Sequence, residues 1–132
     1  MSMTPPLFQP ALPARIERVF DPLCRTLESV ELHTLTQQVQ GHAAIVRDSQ
    51  RHNEFIDANL AERMAAILGD LLGAYEAFIP AQQALIAGAA RYFVLSGDAS
   101  PDMSSLLGFD DDILVLNHVL NSIGRDDLRI EA

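Results

Sequence analysis

Apolar residues recur along this chain with a period near 3.6 in several stretches, and that spacing predicts helices. Ile16, Val19, Phe20, Leu23 and Leu27 form the first stripe, with Pro13 suited to its first turn. Asp21-Pro22 interrupts it. Asp as N-cap and Pro as first helical residue restart the helix there with a kink. Leu32, Leu35, Val39 and Val46 mark a helix over roughly 30–50. Its other face, Thr34, Gln37, Gln38, Gln40, Arg47 and Asp48, reads as solvated. Residues 51–58 are polar and break the pattern.

Asn59-Leu60-Ala61-Glu62 has the form of a capping box, with Asn59 bonding the amide of Glu62 and Glu62 reaching back. Leu60, Met64, Ile67, Leu68, Leu71, Tyr75 and Phe78 make one apolar stripe behind it. Ala65, Gly69, Gly73 and Ala77 recur every four residues on the other side. Such small side chains let another helix approach, either within the chain or in a homo-oligomer through the Gly69/Gly73 face. Pro80 opens the next helix. From Ala81 to Leu95 only Gln82, Gln83 and Arg91 are polar, and a helix apolar all round is a central, buried one. Ser96-Gly97-Asp98 ends it, with Gly97 as the stop. Residues 98–109 read as a turn-rich connector. Ile113, Leu116, Leu120 and Ile123 then define a last helix, closed by Gly124.

The expected fold is all-α: a compact bundle of five or six helices with a central buried helix near 81–95. Residues 14–132 form a single domain. Residues 1–13 carry Pro5, Pro6, Pro10 and Pro13 and read as an extended arm, with Leu7 and Phe8 available to dock it.

Composition agrees. The 132 residues suit one domain, and 48% of them are hydrophobic, enough for a core and against global disorder. Cys24 is the single cysteine, so no intrachain disulfide forms, and its apolar setting reads as a buried structural thiol. No basic segment followed by an apolar run opens the chain, and the longest charge-free stretch after the arm is too short to span a membrane. The expected setting is cytoplasmic.

Charge narrows the partners. The net charge is −9, which repels nucleic-acid phosphates and acidic membrane surfaces and favours a basic protein or a cation. Residues 96–132 hold eight acids against Arg125 and Arg129, so this segment alone supplies −6.

The acids gather in one stretch: Asp98-Ala-Ser-Pro-Asp102, then Gly108-Phe-Asp-Asp-Asp112. Two accounts of them stand side by side. In one, Asp98 and Asp102 close a turn on backbone amides, and Asp110 or Asp111 caps the last helix. In the other, Asp98, Asp102, Asp111 and Asp112 converge on a hard divalent cation, Mg or Ca. The spacing is not that of an EF-hand. Over roughly residues 84–120 the chain resembles the YkvA-like family of uncharacterised helical domains. That family's pattern is an apolar helix ending near a Tyr, then D-x-x-P-D, a short apolar segment, and Gly-aromatic-x-Asp-Asp before another apolar helix. Tyr92, Asp98, Pro101, Asp102, Gly108, Phe109, Asp111 and Asp112 fall on those positions in order. The resemblance implies the helical fold and no established activity.

His33, His42, His52 and His118 lack metal-ligand spacing, and no phosphate loop or nucleophile elbow is present. Asn117, His118, Asn121 and Ser122 form a polar strip on the last helix. Two functions are therefore carried forward. The first is a non-enzymatic adaptor or immunity-like inhibitor without a cofactor. Its acidic C-terminal surface, with Asp110, Asn117, His118, Asn121, Asp126 and Asp127 as candidates, meets a basic partner. The second is a metal-dependent enzyme or metal-binding regulator built on the Asp cluster.

Overall fold

The computed structural model describes residues 12–50, 58–99 and 105–130, with side chains for 12–48, 58–95 and 111–130. Every regular element in these stretches is helical: α1 (Ala14–Phe20), α2 (Ser29–Gln50), α3 (Ala58–Gly73), α4 (Pro80–Ala99) and α5 (Ser105–Ser122). Three single 3-10 turns, at Asp21–Leu23, Tyr75–Ala77 and Asp126–Leu128, link or follow them. The all-α bundle expected from periodicity is the observed architecture. The proline-rich segment before Leu12, with Leu7 and Phe8, lies outside the described residues.

α4 is the central helix and packs against each of the other four. Ile86, Ala87 and Ala90 are wholly buried, with Phe93 nearly so at 2% exposure. Among its described side chains, burial concentrates between Ile86 and Phe93. The first turn is partly exposed, and Leu95, near the other end of the stretch, stands 42% exposed. α2 and α3 form one antiparallel pair and α4 and α5 the other, the most extensive contacts in the molecule.

α3 buries the predicted stripe, from Met64 through Ile67, Leu68 and Leu71 to Tyr75 in the following 3-10 turn. The capping box does not form. Asn59 lies inside the helix, and its Oδ1 accepts a hydrogen bond from Arg47 at 2.9 Å. Arg47 also takes both oxygens of Glu62. Both side chains of the proposed box are therefore spent on tying α3 to α2. The small-residue face is used in the same way: Ala65 is buried, and a Cβ on Gly69 would lie 3.1 Å from the Gln40 side chain of α2. Gly73 faces open space.

Asp21-Pro22 makes a 3-10 turn directly continuous with α1 instead of restarting an α-helix. Phe20, with helical φ and ψ, occupies the cap position expected for Asp21. Arg91 of α4 fixes the turn's exit by donating from Nη1 to the carbonyls of Leu23 at 2.7 Å and Arg25 at 2.9 Å. Gly88 allows this close approach. A Cβ there would lie 2.6 Å from Cys24 Sγ and 2.9 Å from the Phe20 ring.

The end of α4 also departs from expectation. Gly97 and Asp98 lie within the helix, which runs to Ala99, and α5 starts at Ser105. Within the expected connector at 98–109, residues 98–99 and 105–109 are therefore helical. At the other end the expectation holds in detail. Gly124 has φ 78°, its amide bonds Asn121 O at 3.3 Å, and the Arg125 amide bonds Leu120 O at 2.7 Å. These two bonds are the Schellman pattern that lets a glycine close a helix.

Candidate functional site

The beginning of α1, the middle of α4 and the second turn of α5 meet around four side chains: Arg15, Tyr92, Asp111 and Asp112. Arg15 Nη1 donates to Asp111 Oδ2 at 3.1 Å, with Arg15 68% and Asp111 31% exposed. Tyr92 is buried at 8% exposure. Its phenol is pushed up to about 12, first by loss of hydration and then by the negative charge of Asp111 and Asp112, with Arg15 opposing. Asp112 is 4% exposed and engaged by the protein around it. Three positions of the family-like pattern, Tyr92, Asp111 and Asp112, are therefore brought together. Arg15, 96 residues from Asp111 in sequence, completes the group.

The helix boundary overturns one expected role. Asp110, Asp111 and Asp112 lie well past the first turn of α5, so none of them caps it. Asp111 is committed to Arg15 instead. Asp102 and the side chains of Asp98 and Asp110 lie outside the described residues, and so does the turn closure expected of Asp98 and Asp102. Among the described residues no three His, Cys, Asp or Glu side chains gather as a metal site.

The polar strip on α5 faces two ways. Asn117 is turned onto the chain's own C-terminal segment. Its Nδ2 donates to Ile130 O, and its Oδ1 accepts from the Ile130 amide, both at 2.9 Å. His118 meets the edge of Phe20 with ring centroids 6.1 Å apart. These two candidates for a partner surface thus serve the fold. Ser122 Oγ donates back to His118 O, while Asn121 is partly exposed. Asp126 and Asp127 are both exposed, and Asp127 pairs with Arg125 at 3.1 Å. That hydrogen bond holds the Asp127 carboxyl below its usual range and Arg125 above its own, with Asp70 of α3 adding to the latter.

Two further reactive side chains, Cys24 and His42, pack within the fold. Cys24 is partly buried, donates to Phe20 O at 3.4 Å, and has its thiol pushed up to about 11, chiefly by burial and then by Asp21. Such a thiol stays protonated at neutral pH and is a poor nucleophile. His42 is buried edge-on against Phe93, with centroids 4.7 Å apart. A phenol raised as Tyr92 is also stays protonated, far from the pKa near 7 that suits general acid–base catalysis.

The class defined by these features is a helical bundle with a central helix and a buried carboxylate–phenol group under an exposed ion pair. No protein-family model, curated protein or solved structure matches the chain.

Proposed function

We propose that the protein is a non-enzymatic cytoplasmic adaptor or inhibitor, of the immunity-like kind, that meets a basic partner through the acidic surface at the C-terminal end of α5. The observation carrying this reading is the exposure of Asp126 and Asp127 on a chain of net charge −9, with Asp70 of α3 near enough to act on Arg125. A net charge of this size steers oppositely charged partners and speeds their encounter. Kinship with the YkvA-like domains belongs to the same proposal. It supplies the helical frame and no activity.

The second reading, a divalent-metal protein built on Asp98, Asp102, Asp111 and Asp112, is the weaker. Arg15 already lies on Asp111, and its guanidinium would repel a cation bound there.

The test is affinity capture from source-cell extract, with the native chain and the Asp126→Arg/Asp127→Arg variant as parallel baits. The reading expects a basic protein retained by the native bait at low salt and lost from the variant. Identical proteins on both baits, or none on the native bait, contradict it.

A further inference from the structure

α2 has two faces of different kinds. Leu35, Val39, His42, Ala43 and Val46 are buried against the bundle. The opposite face is exposed along its length and carries no charge, because no acid, arginine or lysine lies between Glu31 and Arg47. The outer side of a helix is ordinarily where charged residues gather. Near the two ends of this face stand Val30, 77% exposed, and Ile45, 65% exposed, the highest values among the large apolar side chains described. Between them lie Thr34, Gln37, Gln38 and Gly41, exposed or partly so, on the same outward side. Gly41 sits in the interior of the helix, where glycine is less stable than alanine. A Cβ there would meet nothing within 4 Å among the described residues, whereas one on Gly69 or Gly88 would meet a neighbouring side chain. Within the described residues, then, no close approach accounts for Gly41.

A second copy of the same face does account for it. An antiparallel two-fold centred between Gln37 and Gln38 sets Val30 of each copy opposite Ile45 of the other, Thr34 opposite Gly41, and Gln37 opposite Gln38. The two exposed apolar side chains then cover each other. The glycine leaves room for the Thr34 side chain, and the amides at the axis can each donate and accept. In such an interface the same patch meets itself, so a charged face would set like charges together. An uncharged face avoids this, and it offers no charge by which a different protein would be selected. We propose that the outer face of α2 is a contact between two copies of this chain, paired antiparallel about Gln37 and Gln38. It uses no residue of the acidic C-terminal surface and does not depend on the reading above. A single helix pair over the ~22 Å from Val30 to Ile45 covers less than the ~800 Å² per partner of a standard interface, so the dimer is a weak one.

Sedimentation velocity of the full chain, from micromolar to millimolar concentration, should show monomer passing to dimer. Added salt should leave the association unchanged or strengthen it, because it screens the repulsion between two copies of net −9 and weakens no contact. Ile45→Glu, at an exposed position, should keep the chain monomeric at every concentration. Gly41→Leu should raise the Tm of the dilute chain, since leucine is the better helix former, and should also abolish association. The register is read in a Cys24→Ala background with a short bis-maleimide cross-linker. Gln37→Cys chains should cross-link to their own kind. Val30→Cys and Ile45→Cys chains should cross-link when mixed, and neither should do so alone. A native chain that stays monomeric at millimolar concentration overturns the proposal. So does a dimer that survives Ile45→Glu or Gly41→Leu, or one that loosens with salt. A lowered Tm in Gly41→Leu would mean that Gly41 serves the single chain, and overturns it too. Val30→Cys chains that cross-link among themselves would show a parallel pair and contradict the register.

Discussion

Arg15, in the first turn of α1, lays Nη1 on both carboxylate oxygens of Asp111 in α5, at 3.1 and 3.4 Å, across 96 residues of sequence. The pair fastens the short first helix over the carboxylate–phenol group, where Tyr92 and Asp112 are buried.

Exposure limits what that contact contributes. Arg15 is 68% exposed, and solvated pairs of this kind contribute about 0.2–1 kcal/mol. A double-mutant cycle with Arg15→Ala and Asp111→Asn, followed by urea unfolding, should return a coupling in that range. It should shrink as salt is added. A coupling well above about 1 kcal/mol would mean that Asp111 does more than pair with an exposed arginine.

Gly88 sets the spacing between α4 and the turn after α1. Gly88→Ala should destabilise the fold by about 1–3 kcal/mol, because the new methyl meets Cys24 Sγ and the Phe20 ring inside contact distance. Combining it with Cys24→Ala should recover part of the loss, read as a coupling in thermal melts. The Phe20 contact remains, so recovery should be incomplete.

These two relationships differ in how far the sequence discloses them. The centre of α4 was legible because Ile86 to Ala90 holds no polar residue, and Gly124 because it follows directly on a complete apolar stripe. Gly97 misled. A glycine inside a helix costs only about 1 kcal/mol against alanine, so it stops a helix only where the following chain has a better alternative. Arg15 could not be paired from sequence, since periodicity identifies the buried face of α1 but not the helix that faces its exposed side. Asn117 reads from sequence as part of a polar surface strip, because polar residues on a helix are mostly exposed. Here its amide satisfies the backbone of Ile130, a contact set by the course of the chain after Gly124. Asn59 and Glu62 have the right spacing for a cap, yet a nearby guanidinium outcompetes the amides.

Tyr92 makes the fold sensitive to alkali. Its folded-state value of about 12 lies above the ordinary 10, so the folded state holds the proton more tightly than the unfolded chain. The stability this represents is fully present below pH 10 and is lost as pH rises through about 12. Ultraviolet titration of tyrosinate should show a late-ionising group that disappears in Tyr92→Phe. The variant should lose less stability than the native chain over that window.

Divalent cations should leave the protein unchanged. A cation bound only by the folded state raises stability in proportion to RT ln(1 + [L]/Kd). With Asp111 already paired to Arg15, millimolar magnesium, calcium or manganese at constant ionic strength should produce no appreciable shift in Tm. A saturable rise, abolished by Asp102→Asn or Asp111→Asn, would make the metal reading the working one.

The most direct measurement of the proposed role is the association rate with the captured partner, followed by surface plasmon resonance over a range of ionic strength. Steering by an acidic surface predicts a rate that falls steeply with added salt. It also predicts that Asp126→Arg/Asp127→Arg slows association far more than it speeds dissociation. An association rate indifferent to salt and to charge reversal would contradict the account.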